Sequence, residues 1–111
     1  MEKLQSYVSG EWQAGAGAGR PVRHAVTGET LYEVSSEGLD MAAMLTYARQ
    51  GGKELAAMSF HQRALMLKNL ASHLAAKKED FYALSTATGA TRKDSWIDIE
   101  GGFATLFTYS S

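Results

Sequence analysis

Asp94 to Tyr109 read DSWIDIEGGFATLFTY. Trp96, Ile99, Phe103 and Leu106 recur at intervals of three and four, the spacing that lines one face of an α-helix. Ile97, Gly101, Ala104 and Thr108 make a second, lighter stripe. A helix apolar on two sides expects neighbours on both. Gly101 and Gly102 stand near the middle, where each glycine costs roughly 0.5–1 kcal/mol relative to alanine. Two uses would offset that cost: close helix packing through Gly101, Gly102 and Ala104, or room beside the helix for something bulky. The stretch runs to Ser111 with no capping glycine and no proline stop, as expected of a segment cut from a longer chain.

Working upstream, Thr91-Arg92-Lys93-Asp94 has the form of a capping box, as does Ser59-Phe60-His61-Gln62. The second box opens the clearest helix, with Phe60, Ala64, Leu67, Leu70, Ala71 and Leu74 expected inward and Arg63, Lys68, Asn69 and Ser72 left to water. Lys77 and Lys78 are placed to meet its last carbonyls, and Glu79 and Asp80 to open the next helix. There Phe81, Leu84 and Ala87 are expected inward, with Gly89 as a left-handed cap. Met41, Met44, Leu45 and Ala48 mark a first helix that Gly51-Gly52 should interrupt, with Lys53–Met58 adding another turn.

The first third differs. Leu4–Val8 and Glu11–Gln13 flank the turn signal Ser9-Gly10, with Tyr7 and Trp12 as apolar contacts, and predict a hairpin. Arg20–Ala25 and Thr30–Val34 predict a second pair around Val26-Thr27-Gly28-Glu29. Isolated hairpins are marginal in water, so both need a larger sheet or a helix layer. Between them AGAGAG, residues 14–19, reads as a flexible loop. Its spacing is G-x-G-x-G, and a strand-like run follows where a dinucleotide fingerprint would open a helix. The reading is therefore α+β, one domain portion over 1–111, with a hairpin region at 1–35 and a helical region at 36–111.

Composition narrows the function classes. A formal charge of −1 from 11 basic and 12 acidic residues argues against nucleic acid as a main partner. The chain has no cysteine, which removes disulfides, thiolate metal sites and a cysteine nucleophile from these residues. No signal peptide or membrane span is visible, so a cytoplasmic protein is expected. His24, His61 and His73 lack ligand spacing. Asp98 and Glu100 lie too near in sequence to face each other on a helix, and Asp94 and Asp98, which share a face, read as solvated. No G-x-S-x-G turn is present. Taken alone, these residues offer no active site.

The order of segments is more informative. YVSGEWQ precedes the glycine-rich loop and VRHAVTGETLYEV; SFHQRALMLKNLASHL, KKEDFYALSTATGAT and a helix with EGG and TLFTY follow. This order resembles the N-terminal segment of the NAD(P)-dependent aldehyde dehydrogenase superfamily over essentially all 111 residues. Thr27, Gly28 and Glu29 keep the family's turn, while His24-Ala25 replaces its customary Asn-Pro. EGLDMAAM, FYALSTATGATRKDSW and DIEGG with TLFTYSS resemble the bifunctional phenylacetate-degradation branch, an aldehyde dehydrogenase joined to an oxepin-CoA hydrolase. The aldehyde dehydrogenase of the benzoyl-CoA epoxidation pathway is nearly as similar.

The resemblance implies a parent oxidoreductase that converts a CoA-thioester semialdehyde to the acid with NADP or NAD. In that family a cysteine attacks the aldehyde, hydride passes to the nicotinamide and water releases the acyl group. It also implies a homo-oligomer, a nucleophile and cofactor site beyond Ser111, and no activity or bound cofactor for these residues alone. Two positions carry over as substrate-tunnel lining, Ile97 and Gly101. A monovalent-cation site seen in some members is not carried over, because Ala87 stands at its acidic position. No catalytic, cofactor-binding or metal residue is assigned. The rival is an independent, non-catalytic helical interaction module.

Overall fold

The computed structural model describes residues 2–111, and its architecture is mixed α+β: five short strands followed by four helices. The chain divides into two units, the first ending at Leu55 and the second spanning Ala56–Ser111.

In the first unit, β2 (Gln5–Val8) and β3 (Glu11–Ala14) form the expected antiparallel hairpin, with Tyr7 opposite Trp12. Ser9 and Gly10 both take positive φ, 52° and 83°, which matches the right-handed twist that a two-residue hairpin turn must follow. The Tyr7 and Trp12 rings meet edge to face at 5.1 Å yet stay largely exposed. A three-stranded sheet accompanies the hairpin. β5 (Thr30–Val34) is central, β4 (Arg20–Arg23) pairs antiparallel with it, and β1 (Glu2–Lys3) runs parallel on its other side, Glu2 opposite Tyr32. β1 supplies the larger sheet that the second hairpin needed.

The AGAGAG loop is tied down where flexibility was expected. Ala16 N–H donates to the Glu37 carbonyl at 2.8 Å, Ser35 Oγ to the Ala16 carbonyl at 2.7 Å and Lys3 Nζ to the Gly17 carbonyl at 2.7 Å. Gly19 N–H donates to the Glu33 carboxylate. Gly17 sits at φ 72°, a backbone conformation that favours glycine, with the Glu37 carboxylate beside it.

α1 spans Met41–Ala57. Asp40 caps it, its Oδ1 accepting from Ala43 N–H at 2.9 Å. The break expected at Gly51-Gly52 is absent: both residues are helical, since a helix already nucleated propagates through residues of low propensity. No α1 residue is buried, and Met41 and Leu45 of its apolar stripe are exposed.

The second unit packs three helices. α2 (Phe60–Ala75) opens on the Ser59/Gln62 capping box: Ser59 Oγ accepts from Gln62 N–H at 3.1 Å and Gln62 Oε1 from Ser59 N–H at 2.8 Å. Its inner face is Ala71, fully buried, with Ala64, Leu67 and Leu74 half-buried. Phe60 and Leu70 are exposed, contrary to the periodicity reading. Phe60 starts the helix and faces solvent, with the Arg63 guanidinium 4.9 Å from its ring centroid. α3 (Lys78–Thr86) follows, with Lys77 as its N-cap, so the lysine pair begins this helix where it was expected to finish α2. Phe81 is half-buried, Tyr82 is the buried residue, and Leu84 is exposed. Gly89 does take a left-handed φ of 82°, three residues beyond Thr86.

α4 (Arg92–Tyr109) opens on the Thr91/Asp94 box and continues unbroken through Gly101-Gly102. Ile99, Phe103 and Leu106 turn inward as expected. Trp96 does not: it is exposed, and Ser95 is buried in its place.

Candidate functional site

The residues with unusual electrostatics converge on the inner side of α4. Tyr82 Oη of α3 donates to Glu100 Oε2 at 2.5 Å, and Lys78 Nζ reaches Glu100 Oε1 at 3.3 Å. Burial, reinforced by this hydrogen bond and by the adjacent carboxylate charge, pushes the Tyr82 phenol up to about 12. The same hydrogen bond, aided by Lys78, holds the Glu100 carboxyl below the usual carboxylate range. The Arg92 guanidinium lies over the Tyr82 ring at 4.3 Å and pairs with Glu79 at 3.3 Å. Ser85 and Ser95 hydroxyls bond at 2.7 Å, and Phe81 meets Phe103 edge to face at 6.0 Å.

Chemically this cluster is a clamp. Its carboxylate is neutralised, its phenol is held protonated, and no nucleophile adjoins a base. What it does is fix the rotation of α4 about its own axis. With Ser95, Ile99, Glu100 and Phe103 turned toward α2 and α3, Ile97 and Gly101 point away. Ile97 is exposed, and a Cβ added to Gly101 or Gly102 would meet no described atom within 4 Å. Within the described residues, neither glycine serves as a helix-packing contact. The face is open.

Other candidates disperse. Asp94 accepts from the Thr91 N–H and hydroxyl as a cap. His24 lies in the β4–β5 turn, and His61 and His73 are on the surface of α2. Among the described residues no three His, Cys, Asp or Glu side chains converge as a metal site, and no helix is long and apolar enough to cross a membrane. The glycine-rich loop does not fit a nicotinamide dinucleotide. It joins two strands, and its Ala16 and Gly19 amides are occupied by Glu37 and Glu33. Sequence reasoning missed Tyr82 and Lys78 as partners of Glu100, because each lies on a different helix and no short-range spacing links them.

The order of elements has a match. The family model described as "Aldehyde dehydrogenase family" covers residues 12–111. This chain belongs to the aldehyde dehydrogenase family. It is also 40% identical over 110 residues to a 3,4-dehydroadipyl-CoA semialdehyde dehydrogenase from Aromatoleum evansii. That match covers 97% of this chain and 21% of the relative, so the aldehyde dehydrogenase chain spans about a fifth of the relative's length.

Proposed function

We propose that this aldehyde dehydrogenase chain is the N-terminal portion of an enzyme that oxidises a CoA-thioester semialdehyde to the corresponding acid with NAD or NADP. The carrying observation is the 40% identity, across nearly the whole chain, to a dehydrogenase whose name specifies such a substrate. That name favours 3,4-dehydroadipyl-CoA semialdehyde. The ring-opened semialdehyde of phenylacetate degradation is the second reading, favoured by the EGLDMAAM and FYALSTATGATRKDSW segments. Residues 1–111 contribute structure to one domain, and the active parent is a cytoplasmic homo-oligomer.

In this reading Ile97 and Gly101 line the substrate entrance. The clamp centred on Glu100 aims them, and the absence of a side chain at Gly101 leaves width for the acyl-CoA arm. These residues position substrate and exclude water, and no proton or hydride is transferred through them. The chain alone, without a thiol nucleophile, turns over nothing.

The test uses the full-length protein with CoA-linked semialdehydes and a short unlinked aldehyde, each with NAD and with NADP. A large kcat/KM preference for a CoA-linked substrate is expected, and Gly101→Leu is expected to raise KM for that substrate far more than for the short aldehyde. Equal use of both aldehydes would overturn the substrate class. An unchanged KM in Gly101→Leu would remove Gly101 from the entrance.

A further inference from the structure

The turn joining β4 to β5 is closed by a histidine side chain. His24 Nδ1 accepts from Val26 N–H at 3.1 Å and from Thr27 N–H at 3.3 Å. The backbone closes around the same residue: His24 N–H donates to the Glu29 carbonyl at 2.8 Å, and Gly28 N–H to the His24 carbonyl at 2.9 Å. Thr27 Oγ1 accepts from Glu29 N–H, and Gly28 takes a left-handed φ of 75°. A side-chain oxygen of Asn or Asp commonly fills the position that the imidazole nitrogen holds here, receiving amides two and three residues on.

The difference is that an imidazole nitrogen accepts only while it is unprotonated. A neutral His24 must carry its proton on Nε2 to leave Nδ1 free for the two amides. Protonation converts Nδ1 to a donor and sets N–H against N–H at both contacts. Histidine is the side chain whose charge changes most readily between pH 5 and 8.

We propose that His24 is a proton-operated latch on residues 24–29, closed with neutral imidazole and opened by its acid form. The neighbouring charges do not replace it. Arg23 on β4 is committed to the Gly28 carbonyl and the Thr30 hydroxyl. Glu33 on β5 accepts from Gly19, and Lys3 on β1 donates to Gly17. The remaining titratable groups of these strands and the turn are Glu2, Arg20, Glu29 and Tyr32, and among the described residues none is hydrogen-bonded to or ion-paired with the imidazole. Opening leaves the β4–β5 pairing in place and frees the tip, whose closed fraction relative to open falls by about fivefold to a hundredfold, the loss of two exposed hydrogen bonds.

The experiment is an NMR pH titration from 8 to 5 on the protein carrying this sequence, following the His24 ring and the Val26 and Thr27 amides. The wild-type amides are expected to shift with the same midpoint as the ring. In His24→Asn, which keeps an acceptor that does not titrate, they should stay at closed-turn positions throughout. In His24→Ala they should sit at open-turn positions at both ends of the range. Amides that remain fixed while the His24 ring titrates would overturn the proposal, and so would a His24→Asn variant that shifts as wild type does.

Discussion

Replacing Gly101 and Gly102 with alanine should stabilise this chain. Both glycines lie inside α4, neither has a positive φ, and an added Cβ at either meets no described atom within 4 Å. The native backbone therefore accepts alanine without strain, while the unfolded chain loses conformations it would otherwise regain. Each substitution contributes roughly 0.5–1 kcal/mol, and the pair about 1–2 kcal/mol. With a urea slope of about 2 kcal/mol per molar, mid-range for a small protein, the midpoint should rise by about 0.5–1 M at an unchanged slope. Equilibrium urea unfolding of the 111-residue chain, followed by circular dichroism at the helical band, reads this directly. A lower midpoint would show that something in the chain packs against those positions and would refute the open-face reading. Paired with full-length activity, the result separates two kinds of constraint. Stability gained here together with CoA-substrate use lost there means the glycines are kept for what passes beside the helix.

Other outcomes follow from single contacts. Ser59→Ala removes half of the α2 capping box and should destabilise the chain by about 1 kcal/mol, checked by the same unfolding curve. The Tyr82 phenol, raised above the unfolded value near 10, stabilises the fold below about pH 10, and that contribution is lost as pH climbs through about 12. A tyrosinate absorbance step near pH 12 should be present in the wild type and missing in Tyr82→Phe. Phe60, Trp96, Ile97, Met41 and Leu45 are all exposed, so the 111-residue chain should self-associate as concentration rises; light scattering that stays monomeric would count against this.

What was legible in the sequence was local. Both capping boxes hold because donor and acceptor are three residues apart, and the Ser9-Gly10 hairpin holds because its turn chemistry is two residues long. Inward faces were only half legible. Periodicity picked Ile99, Phe103 and Leu106 correctly but chose Trp96 over Ser95, because a hydroxyl pair between Ser85 and Ser95 lets helices approach where an indole would hold them apart. The Glu100 clamp could not be read, since its partners on α3 are 18 and 22 residues away. Ile97 and Gly101 came from the family resemblance. Spacing alone had shown only a light second stripe.

The parallel pairing of β1 with β5 sets an order of events. Glu2 must find Tyr32 and Lys3 must find Glu33 across the whole of both hairpins, and a strand of two residues offers little to nucleate on. Hairpins close in about 1–10 μs, whereas contacts distant along the chain wait for the intervening loops to be settled. The first residues of the chain are therefore the last to join its sheet, held by Leu4 N–H on the Glu33 carbonyl and by the Lys3 ammonium on Gly17.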